Sequence, residues 1–98
     1  MIRHIVFWNL KEEADGRSKL ENAKIMKDKL EALVGKVDGL RKAEVGFNFT
    51  DGGYDLCLYS ECDSKEALAV YQNHPEHVKV KEFVHKVILN RAVCDSEF

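Results

Sequence analysis

The fold is decided by residues 40–61, LRKAEVGFNFTDGGYDLCLYSE, which read as two strands joined by a turn. Leu40 to Phe49 places its apolar residues at alternate positions, as a strand with one buried face does. Asp51-Gly52-Gly53 is a strong turn signal, and Tyr54 to Glu61 alternates again. The segment therefore predicts an antiparallel hairpin.

A strand and a helix precede this hairpin. Ile2 to Leu10 is short and rich in Ile, Val, Phe and Trp, which is typical of a strand. Ser18 to about Val37 carries apolar residues at spacings of three, four and seven, which predicts an amphipathic helix. Ser18 and Glu21 have the spacing of a capping box. We expect Gly35 and Gly39 to mark the end of this helix.

A helix and a strand also follow the hairpin. Asp63 or Ser64 is placed to cap a second helix, and Pro75 to begin a short further one. His85 to about Val93 is predicted as the last strand, with Cys94 to Phe98 as a loose tail. The resulting order β-α-β-β-α-β predicts an α+β, ferredoxin-like subunit with both helices on one face of a four-stranded antiparallel sheet.

Size and composition restrict the function classes. With 98 residues, a formal net charge of −2 and 33% charged residues, the chain is predicted to be a single domain spanning residues 1–98. Mixed charges argue against nucleic-acid binding, and no segment is long enough to span a membrane. The three cysteines form no CxxC pair and are expected to be reduced thiols in a cytoplasmic protein. A structural metal site is not expected, and no residue pattern requires a cofactor.

The first strand is apolar on both faces. His4, Val6, Trp8 and Leu10 alternate with a second set that includes Ile5 and Phe7. Helices cover only one face of such a sheet, so the other would expose a continuous apolar patch, and such patches usually mark interfaces. We therefore expect a symmetric homodimer in which two sheets pack face to face.

The stretch Tyr71-Gln72-Asn73-His74-Pro75-Glu76-His77 concentrates chemistry around the only proline. Tyrosine and histidine are both proton-transfer residues. Pro75 ends one helix and begins the next, which places His77 in a first helical turn, where the macrodipole would favour a neutral imidazole. His74 is expected to have a structural role in the turn. The simpler interpretation of the whole stretch is a polar corner between two helices.

Several segments together resemble the stress-responsive A/B barrel (Dabb) domain family. These are the opening Met1 to Trp8, Val45 to Asn48, Tyr54 to Leu56 followed by Ser64 to Leu68, the block Tyr71 to Val78, and the closing Arg91, Val93 and Asp95. The resemblance covers essentially the whole chain. It implies a ferredoxin-like subunit that forms a dimeric α+β barrel.

The resemblance also implies a candidate chemistry. In members of the olivetolic acid cyclase type, a histidine base and a nearby tyrosine close a polyketide ring by aldol condensation, without a cofactor. Those positions match His77 and Tyr71, and a first-strand histidine matches His4. Leu56 stands where the cyclase has a further pocket histidine, and Trp8 is bulky on the presumed pocket face, so this chain departs from the cyclase pattern.

The candidate site combines predicted catalytic groups with predicted ligand-binding residues. His4, Tyr71 and His77 are the proposed catalytic groups, although each could be a packed or capping residue. The expected ligand-binding residues share the sheet face: Val6, Trp8, Leu56, Arg91 and Val93. Arg91 and Asp95 could form an ion pair, and His85 is expected at a strand edge.

Two functions from different classes follow. The first is a homodimer that binds a small, mostly apolar molecule and could act on a carbonyl or polyketide-like substrate by acid-base chemistry. The alternative is a non-catalytic, stress-related binding or structural dimer. Cofactor-free oxygenation of a phenolic substrate has less support. Whether the chain is an enzyme stays open at this point.

Overall fold

The computed structural model describes residues 1–98 and contains one main sheet with helices on one side. The elements in chain order are β1 (Ile2–Leu10), β2 (Glu13–Ala14), β3 (Arg17–Ser18), α1 (Lys19–Glu31), β4 (Leu40–Phe47), β5 (Leu56–Cys62), α2 (Lys65–Asn73), α3 (Pro75–Val87) and β6 (Ile88–Glu97). The main sheet has the order β4-β5-β1-β6, and every neighbouring pair is antiparallel. This is the predicted ferredoxin-like arrangement.

The hairpin and the capping signals behave as predicted. β4 and β5 pair antiparallel, with Val45 opposite Leu58, and Gly52 in the turn has a φ of 84°, a conformation that favours glycine. Ser18 and Glu21 form the full capping box at the start of α1. An unpredicted small hairpin, β2-β3, precedes that box, and its turn is Asp15-Gly16 with both residues at positive φ.

Helix α1 is shorter than predicted. It ends at Glu31, and the residues up to Val37 form turns in which Gly35 adopts a φ of 91°. Leu33 and Val37 nevertheless remain buried, because these turns fold back against the core. The apolar spacing that suggested a longer helix therefore reflects burial in a turn.

Two predictions for the C-terminal third are wrong. Helix α3 continues through His85 to Val87, because Val80, Val84 and Val87 form a buried helical stripe. The last strand therefore begins at Ile88. The expected loose tail is instead part of β6, since Cys94 to Glu97 pairs along β1 as far as Ile2.

The core lies between the sheet and the helices. The β1 residues His4, Val6, Trp8 and Leu10 all point into it and are buried, as their alternation predicts. Glu31 ties α1 to the edge strand β4: its carboxylate accepts from Lys27 Nζ at 2.6 Å and from the Val45 amide at 2.9 Å. No helix is long and apolar enough to cross a membrane.

Candidate active site

A cleft of about 350 Å³ opens between the sheet and helices α2 and α3. Its walls combine apolar side chains from β1, α1, β5, α3 and β6 with polar groups from β1, the end of α2, α3 and β6. A volume of this size suits a small organic ligand. The lining residues are His4, Val6, Trp8, Leu30, Leu58, Gln72, Asn73, His77, Val80, Lys81, Val84, His85, Ile88 and Arg91.

Strand pairing gives His4 a carboxylate partner. β1 and β6 place His4 directly opposite Asp95, and His4 Nδ1 lies 2.5 Å from Asp95 Oδ1. An ionised carboxylate can only accept, so the hydrogen bond requires the proton on Nδ1. Neutral His4 therefore carries its lone pair on Nε2.

His77 is held at the beginning of α3 by the turn that Pro75 creates. His74 caps this helix, since its Nδ1 accepts from the Glu76 amide at 3.1 Å, as the predicted turn role requires. The His77 side chain is buried, and its ring stacks on that of Tyr71 with centroids 4.1 Å apart. The helix cap and the stacking on Tyr71 therefore fix the position of the His77 imidazole.

The environment keeps His77 neutral. Burial, and to a smaller extent the positive charge of Lys81, lowers the pKa of His77 to about 4. The backbone groups of Gln72 and Tyr71 oppose this shift weakly, and the buried Nδ1 of His77 has no hydrogen-bond partner. The depressed pKa agrees with the expected neutral imidazole, although its main cause is burial rather than the helix dipole.

Tyr71 lies behind the two histidines rather than on the cleft wall. It is completely buried, stacked on His77 and edge-on to His4 at a centroid distance of 6.1 Å. Burial raises the pKa of the Tyr71 phenol, so it stays protonated, yet its hydroxyl has no hydrogen-bond partner. A buried hydroxyl without a partner costs stability, and such groups are uncommon in native structures.

The residues predicted to bind ligand divide into two groups. Val6, Trp8 and Arg91 line the cleft, and Trp8 forms part of its wall while remaining almost fully buried. Leu56 is buried at the far end of the hairpin and lines a separate apolar depression instead. Val93 lies across from Val6 on the edge strand and is half exposed outside the cleft.

Two further sequence predictions are corrected here. Asp95 pairs with His4 and not with Arg91, because Arg91 lies opposite Trp8, four residues before Asp95 on β6. His85 is on α3 at the cleft, not at a strand edge. The Asp95 contact could have been found from sequence by pairing Val6 with Val93 in antiparallel register.

Sequence reasoning also missed Gln72, Asn73 and Lys81 at the cleft. Their positions depend on how α2 and α3 meet, which no local pattern in the sequence indicates. No group of three or more His, Cys, Asp or Glu side chains is placed to hold a metal ion.

Comparison with known proteins identifies the family. The model of the stress responsive A/B barrel domain matches residues 2–98. The chain belongs to this family. No curated protein matches the chain significantly.

Solved structures of similar proteins agree with the fold. A dimeric ferredoxin-like protein of unknown function from Bacteroides fragilis is 35% identical, with a TM-score of 0.88 over 99% of this chain and 95% of its own. A dimeric ferredoxin-like protein from Thermobifida fusca is 19% identical, with a TM-score of 0.83 over 99% and 90%.

A Dabb family protein with a ferredoxin-like fold from Mesorhizobium loti is also similar. It is 19% identical, with a TM-score of 0.78 over 99% of this chain and 95% of its own. The B. fragilis and T. fusca proteins are both described as dimers with a ferredoxin-like fold.

Proposed function

We propose that this Dabb domain binds a small carbonyl compound in the cleft and removes a proton next to the carbonyl without a cofactor. The observation that supports this most directly is that two imidazoles, His4 and His77, line one cleft in different settings. His4 has Asp95 on its Nδ1, whereas the buried Nδ1 of His77 has no hydrogen-bond partner. Two imidazoles in different environments can divide the roles of base and hydrogen-bond donor.

The environments favour His4 as the base. Asp95 fixes the ring orientation and stabilises the imidazolium that forms when Nε2 takes a proton, as carboxylates do in histidine-based catalysis. His77, with its pKa near 4, is a poor base at neutral pH. This division reverses the one that the family resemblance implies, in which His77 is the base.

The same depressed pKa suits His77 to a different task. A neutral imidazole with a proton on Nε2 can donate to a carbonyl oxygen and to the enolate oxygen that replaces it. Tyr71 acts through His77, because its stacked ring fixes the plane of the imidazole. We therefore treat Tyr71 as a positioning residue.

In a cyclisation, these roles would form a complete sequence. His4 removes the proton from the carbon next to one carbonyl, and the resulting enolate carbon attacks a second carbonyl of the same molecule to form a carbon-carbon bond. The alkoxide then takes a proton back from His4. The olivetolic acid cyclase type of activity is one instance of this reaction class.

The test is proton exchange at carbon. We would dissolve 4-phenylbutan-2-one in D₂O with the protein and follow the loss of the α-proton signals by NMR. We expect catalysed exchange that falls by about a hundredfold or more in His4→Gln, which is the size of a general-base contribution. His77→Gln should also slow exchange strongly, since it removes the oxygen-binding donor.

His74→Asn is the matched control, because asparagine also caps helices and His74 lies outside the cleft lining. It should retain the wild-type exchange rate. Exchange no faster than in buffer, with all variants alike, would contradict the catalytic role.

A binding module without catalysis is the second candidate. The position of Tyr71 favours it, since a phenol behind the cleft wall reaches no ligand directly. In that case the cleft binds the ketone, and the exchange rate equals that of the buffer.

We also propose that the homodimer forms through the exposed face of the sheet. On that face Ile5 lies between Tyr59 and Cys94, and Phe7 lies between Cys57 and Ala92, so apolar side chains run across three strands. Arg3, Tyr59 and Glu61 form a hydrogen-bonded polar border on the same face. An apolar centre with a polar border is typical of protein interfaces.

A further inference from the structure

The cleft has an uneven charge distribution. Among its lining residues are two permanent cations, Lys81 on α3 and Arg91 on β6, and no Asp or Glu. Neither Lys81 nor Arg91 takes part in an ion pair or a side-chain hydrogen bond within the protein. Asp95, which contacts the cleft residue His4, is already hydrogen-bonded to that imidazole.

Of the other thirteen Lys and Arg side chains, seven contact a carboxylate at 3.8 Å or less. Lys19, Lys27, Arg41 and Lys65, for example, each contact a carboxylate at 3.4 Å or less. Lys81 and Arg91 differ from the other unpaired cations because they line one cleft from two different elements, and that lining contains no acidic residue. Lys81 also acts on the buried site, since its charge contributes to the low pKa of His77.

We propose that Lys81 and Arg91 bind the carboxylate of an organic acid whose apolar body occupies the cleft. This inference rests on the proposed ligand-binding function and adds the substrate class: a keto acid rather than a neutral ketone. The walls formed by Val6, Trp8 and Val84 suit the apolar body. Arginine can hold a carboxylate through two parallel hydrogen bonds, and lysine adds a point charge.

The arrangement also separates the two ends of such a ligand. Arg91 lies opposite Trp8, and Asp95 lies opposite His4 four residues along the same strand. Strand residues advance by about 3.3 Å each, so these two positions are about 13 Å apart. If the carboxylate of the ligand is bound at Arg91, a carbonyl group further along the same ligand can reach His4 and His77.

The experiment compares two matched probes, 5-phenylpentanoate and 5-phenylpentanamide, by titration calorimetry at low salt. We expect the carboxylate to bind about tenfold more tightly than the amide, consistent with one good charge-assisted interaction. Arg91→Gln and Lys81→Gln should each lower the affinity for the carboxylate several-fold and leave that for the amide unchanged.

Lys24→Gln provides the control, since Lys24 is an exposed lysine on α1 outside the cleft lining and the substitution makes the same change in net charge. It should bind both probes as the wild type does. Equal affinities for acid and amide in the wild-type protein would overturn the inference while leaving the cleft as a binding site. Failure of both probes to bind at millimolar concentration would overturn the cleft proposal as well.

A second readout depends on His77. The ionisable groups that affect or face its ring are Lys81, His4 and Tyr71. If the carboxylate neutralises Lys81, its binding should raise the pKa of His77, measured from the imidazole carbon-proton shifts in the NMR spectrum. An unchanged pKa on saturation with the acid, together with unaltered binding to Lys81→Gln, would exclude Lys81 from the site.

Discussion

The two faces of the main sheet use the same strands for different purposes. On β1, His4, Val6 and Trp8 turn inward and are closed over by helices of the same chain, whereas Ile5 and Phe7 turn outward and stay partly open. Polar groups on the inner face are buried because α2 and α3 shield this face from water. The outer face has no cover within the chain, and for this reason we propose it as the interface with a second copy.

The largest effect should come from breaking the outer face. Phe7→Glu would place a carboxylate at the centre of the proposed interface, where an unpaired charge costs several kcal/mol. We expect the dimer dissociation constant to rise by at least about a hundredfold, so that the variant is monomeric at micromolar concentration by light scattering after gel filtration.

Val70→Glu is the matched control, because Val70 is a half-exposed aliphatic residue on α2, away from the outer face. It should leave the oligomeric state unchanged. If Phe7→Glu remained dimeric with native affinity, the sheet face would not be the interface.

The inner face can be tested through pH. The folded-state pKa of His77 is about 4, below its usual value of 6.5, so the unfolded chain binds the proton more readily. The contribution of neutral His77 to the free energy of unfolding is fully present above about pH 6.5. It decreases as the pH falls and stops decreasing below about pH 4. The total loss should reach about 3 kcal/mol at most.

The measurement is urea denaturation at several pH values for the wild type and for His77→Phe, which keeps a ring against Tyr71 but cannot titrate. The difference between the two proteins isolates His77 from the carboxylates that titrate at the lower end of the range. Parallel stability curves for the two proteins between pH 6.5 and 4 would show that His77 is not buried in its neutral form.

The smallest effect should be on Tyr71, where the inner face contains a hydroxyl without a partner. Tyr71→Phe removes that hydroxyl and keeps the ring between His4 and His77. We expect the free energy of unfolding to stay constant or rise by up to about 1 kcal/mol, measured by urea denaturation. A loss of more than about 1 kcal/mol would mean that the hydroxyl has a partner in the native protein.

The rate of α-proton exchange catalysed by Tyr71→Phe gives a further comparison of the two faces. Since Tyr71 acts through the His77 ring plane, Tyr71→Phe should retain most of the α-proton exchange, whereas Phe7→Glu should change assembly. A strong fall in exchange at constant stability would instead place the hydroxyl in contact with the substrate.

Elements with strong local signals could be predicted from the sequence. Alternation placed the inward and outward residues of β1 correctly, the glycines fixed the β4-β5 turn, and Pro75 fixed the corner that mounts His77. These features depend on periodicity and on backbone preferences of a few neighbouring residues, which a single chain displays directly.

The ends of α1 and α3, and the set of groups that meet at the cleft, depend on tertiary packing. Val37 is buried in a turn, and His85 lies on a helix, because packing overrides local patterns at the ends of elements. The Asp95 partner of His4 and the position of Tyr71 behind His77 depend on contacts between residues distant in sequence. Local propensity carries no information about such contacts, since they arise only when strands pair and helices pack on the sheet.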